Sequence, residues 1–112
     1  MNRFGLAAAA LLSAALVSTP AQAQEGPSIS ALTTCAGAIA AVGNLNVLTY
    51  PRGASGEWSE VLGRILAQLN MMEGVEGMTG RYAASAARTH WLEQPIADRR
   101  TAANQCRTRF GG

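Results

Sequence analysis

The sequence predicts a small all-α domain, a four-helix antiparallel bundle that is stapled by one disulfide and preceded by a cleaved signal peptide. Three observations support this fold class. Apolar residues recur at helical spacing through most of the chain, no stretch alternates as a strand does, and the only two cysteines lie towards opposite ends of the helical region. A three-helix bundle, in which the last two helices form one helix kinked at Pro95, is the alternative.

The N-terminus has the pattern of a Sec-type signal peptide. A short basic region precedes the apolar run Phe4 to Val17, and residues 19–23 end in a small-x-small site. We expect cleavage after Ala23, so that residues 1–23 are the signal peptide and residues 24–112 form a single helical domain. A transmembrane anchor would need roughly 20 apolar residues, and this run is shorter. The mature protein is therefore expected to be periplasmic or secreted, with no transmembrane segment.

The two cysteines, Cys35 and Cys106, have one possible intramolecular pairing. Export would expose them to an oxidising compartment, where disulfides form and persist. Closing a loop of this length restricts the unfolded chain by about 4 kcal/mol, an upper figure because strain in the folded state subtracts from it. Two buried free thiols are the alternative. A disulfide between these positions places the first and last helices side by side.

The first predicted helix is rich in alanine. Ser28 or Ser30 can cap its start, and glycine and asparagine at Gly43 to Asn46 weaken its end. Cys35 falls on or beside its apolar stripe. The other apolar positions at helical spacing are Ile29, Leu32, Ala36, Ile39 and Val42.

The second predicted helix has the clearest amphipathic pattern. Ser55 can cap it, Glu57 lies in its first turn, and Gly74 can end it in a left-handed conformation. Its apolar residues repeat every three or four positions from Trp58 to Met72, with charged and amide residues between them. We therefore expect this helix to be the hydrophobic spine of the core.

The last two predicted helices meet at Pro95. Thr79 can cap the third, which runs to about Gln94 and is so rich in alanine that we expect a close helix crossing. Pro95 disfavours helical geometry in the residue before it and fits the first turn of a fourth helix. The inner face of that helix is predicted to carry Ile96, Ala103, Cys106 and Phe110. An up-down-up-down ring would make the first and fourth helices neighbours, as the disulfide requires.

Charge and residue content argue against several classes of function. All nine basic residues are arginine, against seven acidic residues, and the net charge of +2 gives no dense basic face for nucleic acid. Glutamates concentrate before Gly77 and arginines after it, which predicts that the two halves pack against each other. A single histidine and two paired cysteines predict no metal site, and no cofactor motif is present.

Two pairs of residues are candidates for acid–base chemistry. One is His90 with Glu93, and the other is Glu57 with Glu60, one helical turn apart. Neither pair comes with a nucleophile or a third, orienting group. We therefore predict a protein that is not an enzyme.

Six residues are candidates for binding a partner. Tyr50, Arg52 and Trp58 flank one loop and have the composition of protein-binding hot spots. The others lie on the third helix and are Tyr82, His90 and Trp91. Core packing of Trp58 is the structural alternative.

These observations leave three hypotheses. The first is an exported, non-catalytic helical interaction module such as an inhibitor, accessory subunit or small chaperone, whose partner is another envelope or secreted protein. The second is a small-ligand carrier with an apolar pocket of at least about 300 Å³ near the alanine-rich third helix, lined by Tyr82, Trp91 and methionines. The third is an enzyme that uses His90 and Glu93.

Overall fold

The computed structural model describes residues 27–111, which form four helices. They are α1 (Ile29–Gly43), α2 (Glu57–Asn70), α3 (Thr79–Leu92) and α4 (Ile96–Phe110). These residues contain no strand, and the all-α fold with four helices and one disulfide is confirmed. The predicted signal peptide lies outside the described residues.

The central element is α1. Ser28 caps it, its Oγ accepting the backbone N–H of Ala31 at 3.0 Å, and Asn44 ends it in the left-handed region with φ 55°. Its residues between Leu32 and Ala41 are almost all buried. A helix that is buried on nearly every side must be surrounded by others.

The arrangement around α1 corrects two predictions. α2, α3 and α4 each pack against α1 and make far fewer contacts with one another. The expected spine, α2, is therefore peripheral, and the four helices do not form the predicted ring. The apolar stripe of α2 is nevertheless correct, since its buried residues are Val61, Leu62, Ile65, Leu66 and Leu69.

The closest crossing joins α1 and α3. A Cβ added to Gly37 would lie 2.5 Å from Ala87 Cβ and 2.6 Å from the backbone nitrogen of Arg88, so the two backbones meet where a glycine leaves room. Trp91 Nε1 donates to the carbonyl of Thr34 at 3.2 Å. The close approach predicted from the alanines of α3 is confirmed, and these contacts make α3 antiparallel to α1.

Four predicted helix boundaries are wrong by a few residues. The N-cap of α2 is Gly56 rather than Ser55, and no side chain caps that end. α2 ends at Asn70, capped by Met71, while Gly74 has its positive φ of 89° in the turn beyond. Thr79 lies inside α3, which ends at Leu92.

Pro95 separates α3 from α4, which excludes the kinked single helix. Ala103, Cys106 and Phe110 of α4 are buried as predicted, but Ile96 is 60% exposed, which corrects its assignment to the inner face. Cys106 and Cys35 form the disulfide, with their Cα atoms 5.5 Å apart. No helix between residues 27 and 111 has the length and hydropathy that crossing a bilayer requires.

Candidate functional site

The candidate site lies where the end of α1, the start of α2 and one side of α4 meet. Gly43 allows this approach, because a Cβ on it would lie 2.8 Å from Trp58 Cβ. Trp58, in the first turn of α2, is therefore held against the C-terminal end of α1, and its indole is only partly buried. An aromatic side chain at a junction of three helices gives the site one apolar wall.

Arg107 connects this wall to α4. Its guanidinium carbon lies 4.3 Å from the centroid of the Trp58 ring, a cation–π arrangement. Nη1 donates to Glu57 Oε1 at 3.3 Å, and Nη2 donates to Asn104 Oδ1 at 2.7 Å. These contacts are exposed to water, so each contributes about 1 kcal/mol or less, but together they fix the side chains around Trp58.

A cleft of about 490 Å³ opens beside Trp58. It lies between α4 and the junction of α1 with α2, and its volume is in the range of sites that bind small molecules or peptide side chains. We call it the Trp58 cleft. Its lining residues are Val42, Gly43, Gly56, Glu57, Trp58, Arg100 and Asn104.

A second, smaller cleft of about 130 Å³ adjoins the first. The two share Val42 and Arg100, so they form one continuous depression along α4, which we call the α4 groove. The residues that only the smaller cleft contributes are Ala41, Ile96 and Arg99. The exposed side chain of Ile96 is thus an apolar patch at the far end of the groove.

The groove carries positive charge. Arg107 is paired with Glu57, and Arg99 donates its Nε–H to the carbonyl of Gln94 at 3.2 Å. The side chain of Arg100 is exposed and makes no hydrogen bond or ion pair with any residue between 27 and 111. A guanidinium that faces a cleft without an acceptor of its own can bind an acceptor supplied by another molecule.

The first turn of α2 adds hydrogen-bond donors to the same place. Gly56 has φ 95° and no side chain with which to cap the helix. The backbone N–H groups at a helix start lack acceptors within the helix and carry a partial positive charge. The helix start therefore favours hydrogen-bond acceptors and negative charge in a ligand. The carboxylate of Glu57 lies at the same end of the groove and partly offsets this preference.

Only one member of the predicted Tyr50, Arg52 and Trp58 group lines the groove. Tyr50 is half-buried, its hydroxyl donates to the carbonyl of Ser59 at 2.9 Å, and it occupies the space that Gly63 leaves open. Its position is that of a residue that packs the α1–α2 connection onto α2. Arg52 is exposed in the turn between these helices, and Trp58 forms the wall of the cleft.

The three candidates on α3 lie away from the groove. Tyr82 is 62% exposed, and His90 is exposed with its ring 5.6 Å from that of Trp91 in an edge-to-face arrangement. Trp91 is partly buried and bonded to α1. The six candidates therefore do not form one surface. The most exposed large apolar side chain, Met71 at 85%, follows the end of α2.

The two glutamates of the Glu57–Glu60 pair, which was considered for catalysis, have separate partners in the structure. Glu57 pairs with Arg107 and Glu60 pairs with Arg64, each at 3.3 Å. The contact of Glu57 joins the acidic half of the sequence to the basic half across α2 and α4, whereas that of Glu60 stays within α2. Glu93 and His90 are both exposed. No set of three or more His, Cys, Asp and Glu side chains between residues 27 and 111 is arranged to hold a metal ion.

The groove contains residues that the sequence analysis did not single out. Arg100 and Asn104 were given no role there, and Ile96 was predicted to be in the core. The spacing of Arg100, Asn104 and Arg107 places them on one side of a helix, and that signal was present in the sequence. The sequence alone does not show that α2 lies opposite that side of α4.

Comparison with known proteins adds no relative. No protein-family model matches the chain, and no match was found among curated proteins or among solved structures.

Proposed function

We propose that this protein is an exported, non-catalytic interaction module that binds another envelope or secreted protein in the α4 groove. The observation that carries the proposal is the exposed guanidinium of Arg100, which has no acceptor among residues 27–111 and lies beside Trp58 in a cleft of about 490 Å³. Arginine and tryptophan are among the residues that contribute most to protein interfaces. The α1–α2–α4 junction supports both side chains on helices, which lowers the cost of ordering them on binding.

Export is the second part of the proposal. The signal-peptide pattern of residues 1–23 and the Cys35–Cys106 disulfide both suit an oxidising compartment. The mature chain recovered from cells should begin at Gln24. N-terminal sequencing of the tagged protein from the cell envelope tests this, and a mature protein that retains residues 1–23 would contradict it.

Site-specific photocrosslinking tests the groove directly. A photoreactive amino acid replaces Asn104, which lines the cleft, and in a matched variant it replaces Gln105, which is exposed and does not line it. We expect one envelope or secreted protein to crosslink at position 104 and not at position 105. The same products at both positions, or none at position 104, would overturn the proposal.

A small-ligand carrier is the second candidate, because the volume of the Trp58 cleft also suits a metabolite. The cleft lies away from α3, so this carrier differs in location from the one that the sequence predicts. Native mass spectrometry of protein purified from cells distinguishes the two: a bound small molecule, displaced in Trp58→Ala, would favour the carrier.

A further inference from the structure

The charges and shape of the α4 groove restrict what its partner presents. We infer that the occupant is an extended, acidic segment of a protein in which carboxylates alternate with large apolar side chains. This inference rests on the proposed function and deepens it, since it names the chemistry of the partner's contact segment.

The charge of the segment follows from the balance of charges along the groove. Three arginines, Arg99, Arg100 and Arg107, line it or its edge, and among the residues that the structure describes Glu57 is the only acidic one that lines it. Glu57 is already paired with Arg107. A carboxylate from outside can therefore bind Arg100 in the planar, two-bond arrangement that arginine makes with carboxylates.

Asn104 lies one turn after Arg100 and adds a second donor. Its Oδ1 accepts from Arg107 at 2.7 Å, so its side-chain N–H groups remain for a ligand. An amide N–H beside an arginine suits a peptide carbonyl next to an acidic side chain. Donors thus outnumber acceptors on this side of the groove, and a segment rich in acceptors complements it.

The apolar part of the segment follows from the two ends of the groove. Trp58 forms the wall at one end, and the exposed Ile96 lies at the other. Ile96 is uncovered within residues 27–111, although burying such a side chain is favourable by about 1.5–3 kcal/mol. A segment with apolar residues at both ends would cover these side chains while its carboxylate reaches Arg100 between them.

The length of the segment follows from helix geometry. Position 96 and position 107 are about 16 Å apart along the axis of α4 at a rise of 1.5 Å per residue. An extended chain covers that distance in about five residues at 3.3 Å each. A segment of five to seven residues therefore spans the whole groove.

Other anionic partners fit these observations less well. A nucleic acid needs a row of cations along its backbone, whereas Glu57 interrupts this groove and Arg107 is already paired. A second copy of this chain could present the glutamates of α2, but Glu57 and Glu60 are engaged with their own arginines. Both alternatives are outcomes of the test below.

The test is a selection of random seven-residue peptides displayed on phage against the oxidised mature protein. We expect the enriched sequences to contain two or more Asp or Glu next to Leu, Ile, Phe or Trp. Binding of a synthesised, enriched peptide is then measured by fluorescence anisotropy at two salt concentrations. Its affinity should fall as salt rises, because the contact is partly ionic.

Two charge reversals on α4 form a matched pair. Arg100→Glu should weaken the peptide about tenfold or more, because it removes the cation and adds a like charge. Arg109→Glu makes the same change on a residue that stacks over Phe110, 4.7 Å away, and does not line the groove, so it should change affinity less than about twofold. Both positions are exposed, and thermal unfolding verifies that both variants fold.

Several results would overturn the inference. They are a selection that yields no binding peptide or no excess of acidic residues, equal weakening by both variants, and binding of a single-stranded oligonucleotide as tight as that of the peptide. A concentration-dependent dimer that Arg100→Glu abolishes would favour the second copy instead. Enriched peptides that are not acidic but still lose binding in Arg100→Glu would overturn this inference and leave the proposed function intact, whereas absence of a crosslink at position 104 overturns both.

Discussion

The α1–α3 contact and the α2–α4 contact depend on different physics. Between α1 and α3, small residues bring the backbones together, and Gly37 has no room for even a Cβ. Between α2 and α4, in contrast, exposed side chains make the contacts: Arg107 reaches Trp58 and Glu57, and Arg64 donates to the carbonyl of Gly111. Close packing is sensitive to a single added methyl group, whereas exposed ionic contacts are individually weak.

The proposed binding site lies on the less tightly packed side of this contrast. α4 buries only Ala103, Cys106 and Phe110, which is little apolar surface for a helix of 15 residues. Its attachment therefore depends strongly on the disulfide to α1. The α4 groove lies on this loosely packed side, where side chains that are not needed for the core remain exposed to a partner.

Loss of the disulfide should have the largest effect. The cysteines are 71 positions apart, and replacing both with alanine should lower the free energy of unfolding by about 2–5 kcal/mol, because the unfolded chain regains loop entropy. Urea unfolding measured by circular dichroism gives this difference. Wild-type protein in a reductant is the control and should behave as the double variant does.

Hydrogen exchange then distinguishes the two sides of the molecule. In the protein without its disulfide, amide protection should fall in α4 before it falls in α1 and α3, because α4 then loses its covalent link to α1 and packs less extensively against α1 than α3 does. Simultaneous loss of protection in all four helices would contradict a loosely attached α4.

Overpacking should destabilise the close crossing of α1 and α3. Gly37→Val places a branched side chain where Ala87 and the backbone of Arg88 already lie, and should lower stability by about 1–3 kcal/mol. Ala86→Val, on the exposed side of α3, is the control and should cost about 0.5 kcal/mol or less. Similar thermal shifts for the two variants would show that the crossing tolerates more space than Gly37 indicates.

A charged residue of α3 that is partly buried should contribute more to stability than an exposed charged residue of α4. Arg81 of α3 is half-buried and donates to the carbonyls of Val47, at 3.2 Å, and Tyr50. Arg81→Ala leaves these carbonyls without that partner and should lower the free energy of unfolding by about 1–3 kcal/mol. Arg109→Ala, at an exposed position, should stay within about 0.5 kcal/mol in the same unfolding experiment.

The smallest effect is expected for the contact between Trp58 and Arg107. A double-mutant cycle with Trp58→Ala and Arg107→Ala should give a coupling of about 0.5–1 kcal/mol, because the cation–π pair is exposed to water. The Glu57–Arg107 pair, measured in the same way, should weaken as salt is added. A coupling above about 2 kcal/mol for either pair would place the α2–α4 contact among the main stabilising interactions.

Much of this fold can be read from local sequence. Helical spacing, the Ser28 cap, the break at Pro95 and the pairing of Cys35 with Cys106 are short-range or compartment signals, and all four are confirmed. The centre of the bundle was assigned wrongly. The strong apolar stripe of α2 indicates a helix with one solvent-exposed side, whereas the alanines and glycines of α1 indicate a helix that is buried on nearly all sides.

The site was less predictable than the fold. Trp58 could be chosen from its residue type, but the roles of Arg100, Asn104 and Ile96 depend on which side of α4 remains uncovered. That side is fixed by where α2 begins and by the room that Gly43 leaves for Trp58. Contacts between residues far apart in the chain set both features, and no local pattern encodes them.

The covalent link between α1 and α4 makes the proposed binding depend on whether the disulfide has formed. One wall of the α4 groove is α4 itself, so before the two sulfur atoms join, the chain would lack a formed cavity. If the protein is exported and binds as proposed, a reduced copy should therefore bind the proposed acidic segment more weakly than an oxidised copy. Equal affinity of the reduced and oxidised forms for an enriched peptide would contradict this dependence.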